Sequence, residues 1–230
     1  MKSEIPKVLH PLDGRPLVQH VINSLHSSGI DDIILVVGYR GDMVIDAIGN
    51  SVRYVWQREQ LGTGHAVMQA EKTLEEFKGS VLIACGDAPR ISPATFKKMI
   101  KESKAVNTKA VVLTMIQDNP AGYGRIIKDE NAGFLRIVEE KDASPEEKKE
   151  KEVNTGTYVF ERDSLFNGLK NVGTNNAQGE YYLTDVLQHI VSSGYSVKRV
   201  VLDNPVEGTG INSKEELERL EQYLKKNTNN

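Results

Sequence analysis

Apolar positions in the first half of the chain switch between helical spacing and short continuous runs. From 17 to 25 they recur at intervals of three and four residues, which predicts an amphipathic helix that stops at Gly29. The run 33–37 is apolar throughout, as in a strand covered on both faces. Further strands are predicted at 52–56, 80–85 and 110–115, and further helices at 43–48, 65–74 and 93–102. Such repeated strand–helix units predict a parallel sheet with helices on both faces.

The pattern changes after Pro120. Three short strand candidates follow without a helix after each one, at 123–127, 134–139 and 153–160. Helices return at 164–169 and 184–193, a strand is predicted at 195–202, and a charged amphipathic helix covers 213–226. The length of 230 residues suits one large α/β domain with a real core, so we expect a single domain over 1–230.

Composition and charge narrow the class of protein. Lys and Arg total 29 and Asp and Glu total 32, a net charge of −3, which gives no electrostatic case for a nucleic-acid or membrane partner. Cys85 is the only cysteine, so a disulfide within the chain is impossible and a reducing compartment is expected. No apolar run reaches membrane-spanning length and the start has no signal-peptide core. We expect a cytoplasmic protein.

The stretch 57–66 joins a polar amide to a glycine-containing turn between a predicted strand and a predicted helix. The turn Leu61-Gly62-Thr63-Gly64 would expose backbone N–H groups at a helix N-terminus, where a base or phosphate can accept hydrogen bonds from them. The amide of Gln57 suits the edge of a nucleobase. The alternative is an ordinary strand-to-helix turn with a glycine at the cap.

Two charged side chains in the first half are candidates for phosphate chemistry. Asp87 follows Gly86 directly after the predicted strand 80–85, and ligands of open parallel sheets bind beyond the carboxyl ends of strands. A carboxylate there is a suitable ligand for Mg²⁺, although Asp87 could simply cap a turn. Lys7 could pair with a phosphate, or be one more solvated lysine. His10 and His65 are better explained by packing.

Several residues of the second half are candidates for binding a sugar. Gly122 and Gly124 would let a backbone approach a ligand closely, or form a bulged turn. Glu139 at a strand end and Asn154 on a strand could bond sugar hydroxyls, while Glu139 could equally be a surface charge. Asn212 could be a helix N-cap or a neutral second metal ligand.

The order of these motifs along the chain is more specific than any one of them. They are 6–10, 57–66, 86–87, 122–126, 139 with 141–142, 154–156, 175–182 and 211–212. Together they resemble the uridylyltransferase domain of the bacterial bifunctional N-acetylglucosamine-1-phosphate uridylyltransferases, over nearly the whole chain. The resemblance implies a Rossmann-like nucleotidyltransferase fold of the glycosyltransferase-A type. That fold has a mostly parallel mixed sheet, helices on both faces and a small β-rich sugar-binding subregion.

The resemblance also implies a reaction and a set of site residues. UTP and N-acetylglucosamine 1-phosphate would give UDP-N-acetylglucosamine and pyrophosphate with Mg²⁺ as cofactor. The single domain would consist of a nucleotide-binding part over 1–118, a sugar-binding part over 119–212, and a C-terminal helix and tail over 213–230. The substrate-binding residues would be Gln57, Gly62 and Thr63 for uracil, Lys7 for phosphates, Cys85, Gly86 and Asp87 around the ribose and metal, and Gly124, Glu139 and Asn154 for the sugar. Asp87 and Asn212 would bind Mg²⁺, and Lys7 and Asp87 would be catalytic.

The chain departs from the family pattern at both ends. The family begins with a strand and the glycine-rich loop L-A-A-G-x-G-T-R-M, and this chain starts at the position of the final Met. We therefore expect exposed flanking strands, low stability and little turnover. No hexapeptide repeat of the family's acetyltransferase domain follows, so we do not expect acetyl transfer. We expect the chain to be a monomer.

Two other functions stay open at this point. One is a glucose-1-phosphate uridylyl- or thymidylyltransferase, against which the segment 175–182 favours N-acetylglucosamine. The other is a non-catalytic domain that binds a UDP-sugar.

Overall fold

A computed structural model describes residues 5–228 of the chain, with side chains up to 224. The strands are β1 Pro11–Leu12, β2 Arg15–Pro16, β3 Ile34–Val37, β4 Arg53–Trp56, β5 Ser80–Ile83, β6 Thr108–Ile116, β7 Arg125–Lys128, β8 Phe134–Val138, β9 Glu152–Glu161 and β10 Ser196–Val201. The helices are α1 Leu17–Ser27, α2 Gly41–Ile48, α3 Thr63–Met68, α4 Pro93–Glu102, α5 Arg162–Leu169, α6 Asp185–Ser192 and α7 Lys214–Thr228.

The main sheet is mixed and is organised around β9. Its order is β10-β6-β9-β7-β8, and β5 also pairs with β9. β6 and β10 are parallel, whereas β5, β6 and β7 all run antiparallel to β9. β3 and β4 form a separate parallel pair. The predicted mixed sheet is therefore observed, with the reversed direction confined to the β-rich second half.

Strand β9 has a bulge halfway along its length. Asn154 pairs with Thr114 of β6 and Tyr158 pairs with Val112, so residues 155–157 together face Leu113. On the other side of β9, β5 pairs beyond the bulge and β7 pairs before it. The ends of β5 and β7 consequently meet beside the bulge, and the extra residues bend the strand there.

Apolar side chains fill both faces of the sheet. Along β9, Val153 and Val159 belong to the core beneath α1 and α4, while Tyr158 and Phe160 belong to the core beneath α5 and α6. This arrangement confirms the prediction of helices on both faces. The N-cap of α4 also forms as its sequence suggests, since Ser92 Oγ accepts from the Thr95 N–H at 3.2 Å.

One prediction of local structure is confirmed and one is wrong. β3 is covered on both faces as expected, because Leu35 packs against the core beneath α1 and α4 and Ile34 packs against the core beneath α5 and α6. Residues 34–36 stay half-buried, since within residues 5–228 this strand pairs with β4 alone. The helix predicted over 65–74 is an α-helix only to Met68, followed by a 3₁₀ turn at Lys72–Leu74. Between them the backbone bonds tighten to three-residue spacing, as from Ala70 N to Val67 O at 3.0 Å. No helix in the described part of the chain is both long and apolar enough to cross a membrane.

The buried carboxylate of Glu152 provides a test of what holds the sheet together. Glu152 accepts hydrogen bonds from Thr114 Oγ1 at 2.8 Å and Lys128 Nζ at 3.2 Å, and it pairs with Arg199. Glu152→Ala would leave Arg199 without its carboxylate and Lys128 with Glu150 alone, so we expect the free energy of unfolding to fall by about 3 kcal/mol. Urea denaturation measures this. Lys149→Ala, which breaks the exposed Lys149–Glu146 pair, should leave the midpoint in place; equal effects of the two variants would contradict the expectation.

Candidate active site

Lys7, Asp87 and Asn212 come from three distant parts of the chain and meet after the end of β5. The Lys7 ammonium forms an ion pair with Asp87 Oδ2 and donates to Asn212 Oδ1 at 2.9 Å. The Ile211 N–H donates to the Asp87 carbonyl at 2.9 Å, which fastens the segment before α7 to this corner. We call Lys7, Asp87 and Asn212 the cation corner.

The donor set of the cation corner fits Mg²⁺. A carboxylate oxygen and an amide oxygen already contact one positive group, the Lys7 ammonium, so they can converge on one cation. Within residues 5–228 no group of three or more His, Cys, Asp or Glu side chains could hold a metal. Two oxygen ligands suit Mg²⁺, which usually completes its octahedron with water and substrate phosphate. Magnesium itself stays a prediction.

Gly124, Glu139 and Asn154 form a second group, here called the carboxylate pocket. A Cβ on Gly124 would lie 2.9 Å from Ile137 Cγ2 and 3.2 Å from Glu139 Oε2, so a larger residue would displace the carboxylate. The Asn154 N–H donates to the Gly124 carbonyl at 2.9 Å. The Asn154 side chain is held by the Tyr158 hydroxyl at 2.6 Å and the Gly156 N–H at 3.0 Å.

Glu139 is the acid of the carboxylate pocket, and its carboxyl group is largely removed from water. Burial raises the pKa of its carboxyl, and the hydrogen bond that Thr184 Oγ1 donates at 3.1 Å opposes the rise. Asp185 and Asp142 lie near enough to raise it further. A carboxylate with one protein donor and little water has room for additional donors, which is what a sugar hydroxyl provides.

Gln57, Gly62 and Thr63 form the third group, the glycine turn before and within α3. Gln57 Nε2 donates to the Gly62 carbonyl at 3.0 Å and lies 3.2 Å from His65 Nδ1. Gly62 has a φ of +107°, and a Cβ there would lie 2.7 Å from the Tyr181 carbonyl oxygen. Only glycine satisfies both conditions.

The prediction that the glycine turn exposes its N–H groups is wrong for Gly64. That N–H donates to the Tyr181 carbonyl at 2.7 Å, because residues 181–183 lie along the turn. The Leu61 carbonyl accepts from the Tyr181 N–H at 2.8 Å, and Thr63 Oγ1 accepts from the Leu183 N–H at 3.1 Å.

Direct contacts join the three groups. Thr184, one residue beyond the glycine turn's partner Leu183, donates to Glu139 of the carboxylate pocket. On the other side, Cys85 Sγ lies 3.5 Å from the Gly156 carbonyl oxygen in the β9 bulge. Gly86 leads from Cys85 to Asp87, and a Cβ on it would lie 3.3 Å from Val8. All eleven predicted site residues therefore belong to one connected set.

Burial raises the pKa of the Cys85 thiol to about 12, with the Asp87 charge adding to the effect. The thiol is neutral at ordinary pH, so Cys85 acts as a packing residue against the bulge and is not a nucleophile. His10 is buried and burial lowers the pKa of its imidazole, in keeping with the packing role expected for it.

Three residues of this site were missed as individual candidates. Tyr181 lies in the segment 175–182, which the sequence analysis singled out without assigning roles to its residues, and Thr184 is the first residue of the helix predicted over 184–193. Tyr123 lies near Asp87, and its hydroxyl bonds Thr209; burial is the main cause that raises the pKa of the phenol. Their backbone and hydroxyl contacts leave no sequence pattern, although the polar run before α6 was a signal for Thr184.

Comparisons with known proteins agree with this arrangement. The nucleotidyl transferase family model matches residues 2–205. The chain is 45% identical over 226 residues to the bifunctional protein GlmU of Pelotomaculum thermopropionicum, covering 98% of this chain and 50% of that protein. It is 43% identical over 229 residues to GlmU of Oceanobacillus iheyensis, covering 100% and 50%. The chain thus spans about half the length of these relatives.

A solved structure shares the fold at low sequence identity. UDP-glucose pyrophosphorylase complexed with UDP-glucose superimposes with a TM-score of 0.76 at 18% identity, covering 97% of this chain and 91% of that one. This likeness, with the family match, confirms the predicted fold class.

The raised pKa of Glu139 predicts a dependence of stability on pH. Between the ordinary pKa of 4.5 and the raised native value, the folded state binds more protons than the unfolded state. The stability of the parent chain should therefore fall as pH rises through that window. Glu139→Gln removes the ionisation, so its stability relative to the parent should increase from about pH 4 to about pH 8.

Urea denaturation at both pH values measures this difference. Asp118→Asn serves as the control, because the Asp118 side chain is fully exposed. A Glu139→Gln curve parallel to that of the parent would show that the carboxylate is not desolvated.

Proposed function

Because the chain belongs to the nucleotidyl transferase family, we propose that it joins UTP and N-acetylglucosamine 1-phosphate to give UDP-N-acetylglucosamine and pyrophosphate. The observation that carries this proposal is the continuity of the glycine turn, the carboxylate pocket and the cation corner. Contacts through Thr184 and Cys85 link them. The base, sugar and phosphates of a nucleotide sugar need three such neighbouring surfaces. The name of the relatives, bifunctional protein GlmU, supports the same choice.

The proposed reaction needs alignment and charge neutralisation more than it needs a protein nucleophile. A phosphate oxygen of the sugar phosphate attacks the α-phosphorus of UTP. A new P–O bond forms, the bond from the α-phosphorus to the bridging oxygen breaks, and pyrophosphate leaves with that electron pair. The described residues fit this chemistry, since the one thiol among the predicted site residues is neutral at ordinary pH, its pKa being raised to about 12.

In the proposed site Lys7 neutralises phosphate charge. Its side chain is 36% exposed and its ammonium lies between Asp87 and Asn212, so it can exchange these partners for phosphate oxygens. Asp87 and Asn212 would hold Mg²⁺, which when bound offsets charge on the phosphates. Lys7 and Asp87 thus have the catalytic roles.

The carboxylate pocket would hold the sugar. Glu139 would accept hydroxyl hydrogen bonds in a desolvated setting, where a charged acceptor is strong. The Asn154 side chain is oriented by Tyr158 and by the bulge, and the missing side chain of Gly124 leaves room beside the carboxylate. Cys85 and Gly86 would line the ribose, where their small side chains let a ligand lie close to the end of β5.

Uracil would lie on the glycine turn. The Gln57 amide would exchange the Gly62 carbonyl for the base edge, with the backbone of Gly62 and Thr63 alongside. The bonds from residues 181–183 hold this turn in place before any ligand arrives.

Binding of UDP-N-acetylglucosamine tests the pocket directly. We expect Glu139→Ala and Asn154→Ala to weaken binding of UDP-N-acetylglucosamine by roughly 10- to 100-fold, the loss of one hydrogen bond that involves a charged or well-oriented group. Binding of UTP should change little, since it does not enter the carboxylate pocket. Isothermal titration calorimetry of both ligands measures this, with Asp118→Asn as the matched surface control.

Pyrophosphate release separates the remaining alternatives. UTP and dTTP are each combined with N-acetylglucosamine 1-phosphate or glucose 1-phosphate, with and without Mg²⁺. Faster release with glucose 1-phosphate would indicate a glucose-1-phosphate enzyme. Binding of UDP-N-acetylglucosamine without any Mg²⁺-dependent release would indicate a binding domain, and no binding at all would refute the proposed function.

A further inference from the structure

Arg125, the first residue of β7, carries a charge into the interior. Its side chain is 2% exposed, and it is the largest fully buried side chain among the described residues. Arginine is almost never buried to this degree unless it is paired. A buried ion pair is weak evidence of a role in stability, since a well-packed apolar pair often serves equally well.

Arg125 holds the loop that precedes its own strand. One guanidinium nitrogen pairs with Glu140 Oε2 at 2.7 Å, and another donates to the carbonyl of Tyr123. The same Glu140 oxygen accepts the Gly122 N–H at 3.1 Å. The Arg125–Glu140 pair therefore grips residues 122–123 of the loop through both a carbonyl and an N–H.

The sheet itself does not need these contacts. Arg125 pairs with Val138 of β8 and Val153 of β9 through the backbone ladder. Residues 121–123 lie before that ladder and Glu140 lies after it, so the ion pair orders segments that the bonds between strands do not reach. The location of the Arg125–Glu140 pair indicates that it orders the loop before β7.

Both partners adjoin residues of the carboxylate pocket. Gly124 precedes Arg125 and Glu139 precedes Glu140, and a Cβ on Gly124 would be 3.2 Å from Glu139 Oε2. The hydroxyl of Tyr123, whose carbonyl Arg125 holds, bonds Thr209. A Cβ on the following residue, Gly210, would lie 3.7 Å from Asp87 Oδ1. One loop thus contacts the carboxylate pocket on one side and, through Thr209, the segment beside Asp87 on the other.

We propose that the Arg125–Glu140 ion pair is the positioning element of the sugar-phosphate site, setting Gly124 and Glu139 at their working separation and the Tyr123 hydroxyl against Thr209. The inference rests on the proposed function for the identity of the ligand. Neither side chain is placed against the substrate. Loss of the ion pair should weaken binding of the sugar part of the ligand. Binding of UTP should stay unchanged.

Substitutions at Glu140 test this, because its side chain is 32% exposed and its removal opens no cavity in the core, while it leaves the buried Arg125 guanidinium without its carboxylate. Glu140→Ala removes the pair and the bond to Gly122, while Glu140→Gln keeps one acceptor oxygen. Arg136→Ala is the matched control, since it breaks the Arg136–Glu147 pair on the adjacent strand and leaves the loop untouched. Each variant is examined in the full chain by amide hydrogen exchange without ligand and by calorimetry with UDP-N-acetylglucosamine and with UTP.

In Glu140→Ala we expect amide exchange at Gly122 and Tyr123 to accelerate by about tenfold or more, with exchange at Ile126 and Ile127 unchanged. The dissociation constant for UDP-N-acetylglucosamine should rise by about tenfold and that for UTP by less than about twofold. Glu140→Gln should lie between the parent and Glu140→Ala, and Arg136→Ala should match the parent.

Three results would overturn the inference. One is unchanged exchange at Gly122 and Tyr123 in Glu140→Ala, whatever the parent binds. Another is faster exchange in the loop with unchanged binding of UDP-N-acetylglucosamine. The third is equal weakening of both ligands together with faster exchange throughout β7 and β8, which would make the pair merely structural. Failure of the parent to bind UDP-N-acetylglucosamine would instead refute the proposed function, and the sugar assignment of the pair with it.

Discussion

The site depends on the bulge in β9. Three residues, 155–157, occupy the place opposite a single residue of β6, and Gly156 at their centre has a φ of +77°. A Cβ on Gly156 would lie 2.8 Å from Cys85 Sγ, so the end of β5 can approach only because that atom is missing. The bulge also places Asn154 next to the Gly124 carbonyl. One irregularity in one strand thus brings the end of the first half of the chain against the start of the second.

Charge in the site is sparse and each charge has a distinct environment. Lys7 is partly exposed and shared between two oxygen atoms, which leaves it able to change partners. Glu139 is desolvated, with its pKa raised by burial, and it has one hydroxyl donor from Thr184. The Arg125–Glu140 pair is buried at its cationic end and bonded to loop backbone. Lys7 is therefore the charge with the most freedom to change partners, while Glu139 and the Arg125–Glu140 pair are held by hydrogen bonds.

Predictions from local sequence are confirmed where the residues of one element determine its conformation by themselves. Ser92 caps α4 because its hydroxyl reaches an N–H three residues away. The amphipathic spacing of 17–25 likewise produced α1, with its apolar side buried. A prediction from local sequence is wrong where a segment distant in the chain forms hydrogen bonds with the element. The Gly64 N–H, expected to face a ligand, donates instead to the Tyr181 carbonyl.

The amino-acid sequence alone determined the alternation of strands and helices and the α/β class. These follow from periodicity and from glycine and proline positions, which are local properties. The eleven candidate residues were selected by the resemblance of the ordered motifs to a known family. The tertiary structure decided that Cys85 packs on Gly156, that Thr184 bonds Glu139, and that Arg125 is buried against Glu140. The last pair lies 15 positions apart and the first 71. Hydrogen bonds and burial between such positions arise from chain folding and leave no periodic signal in the sequence.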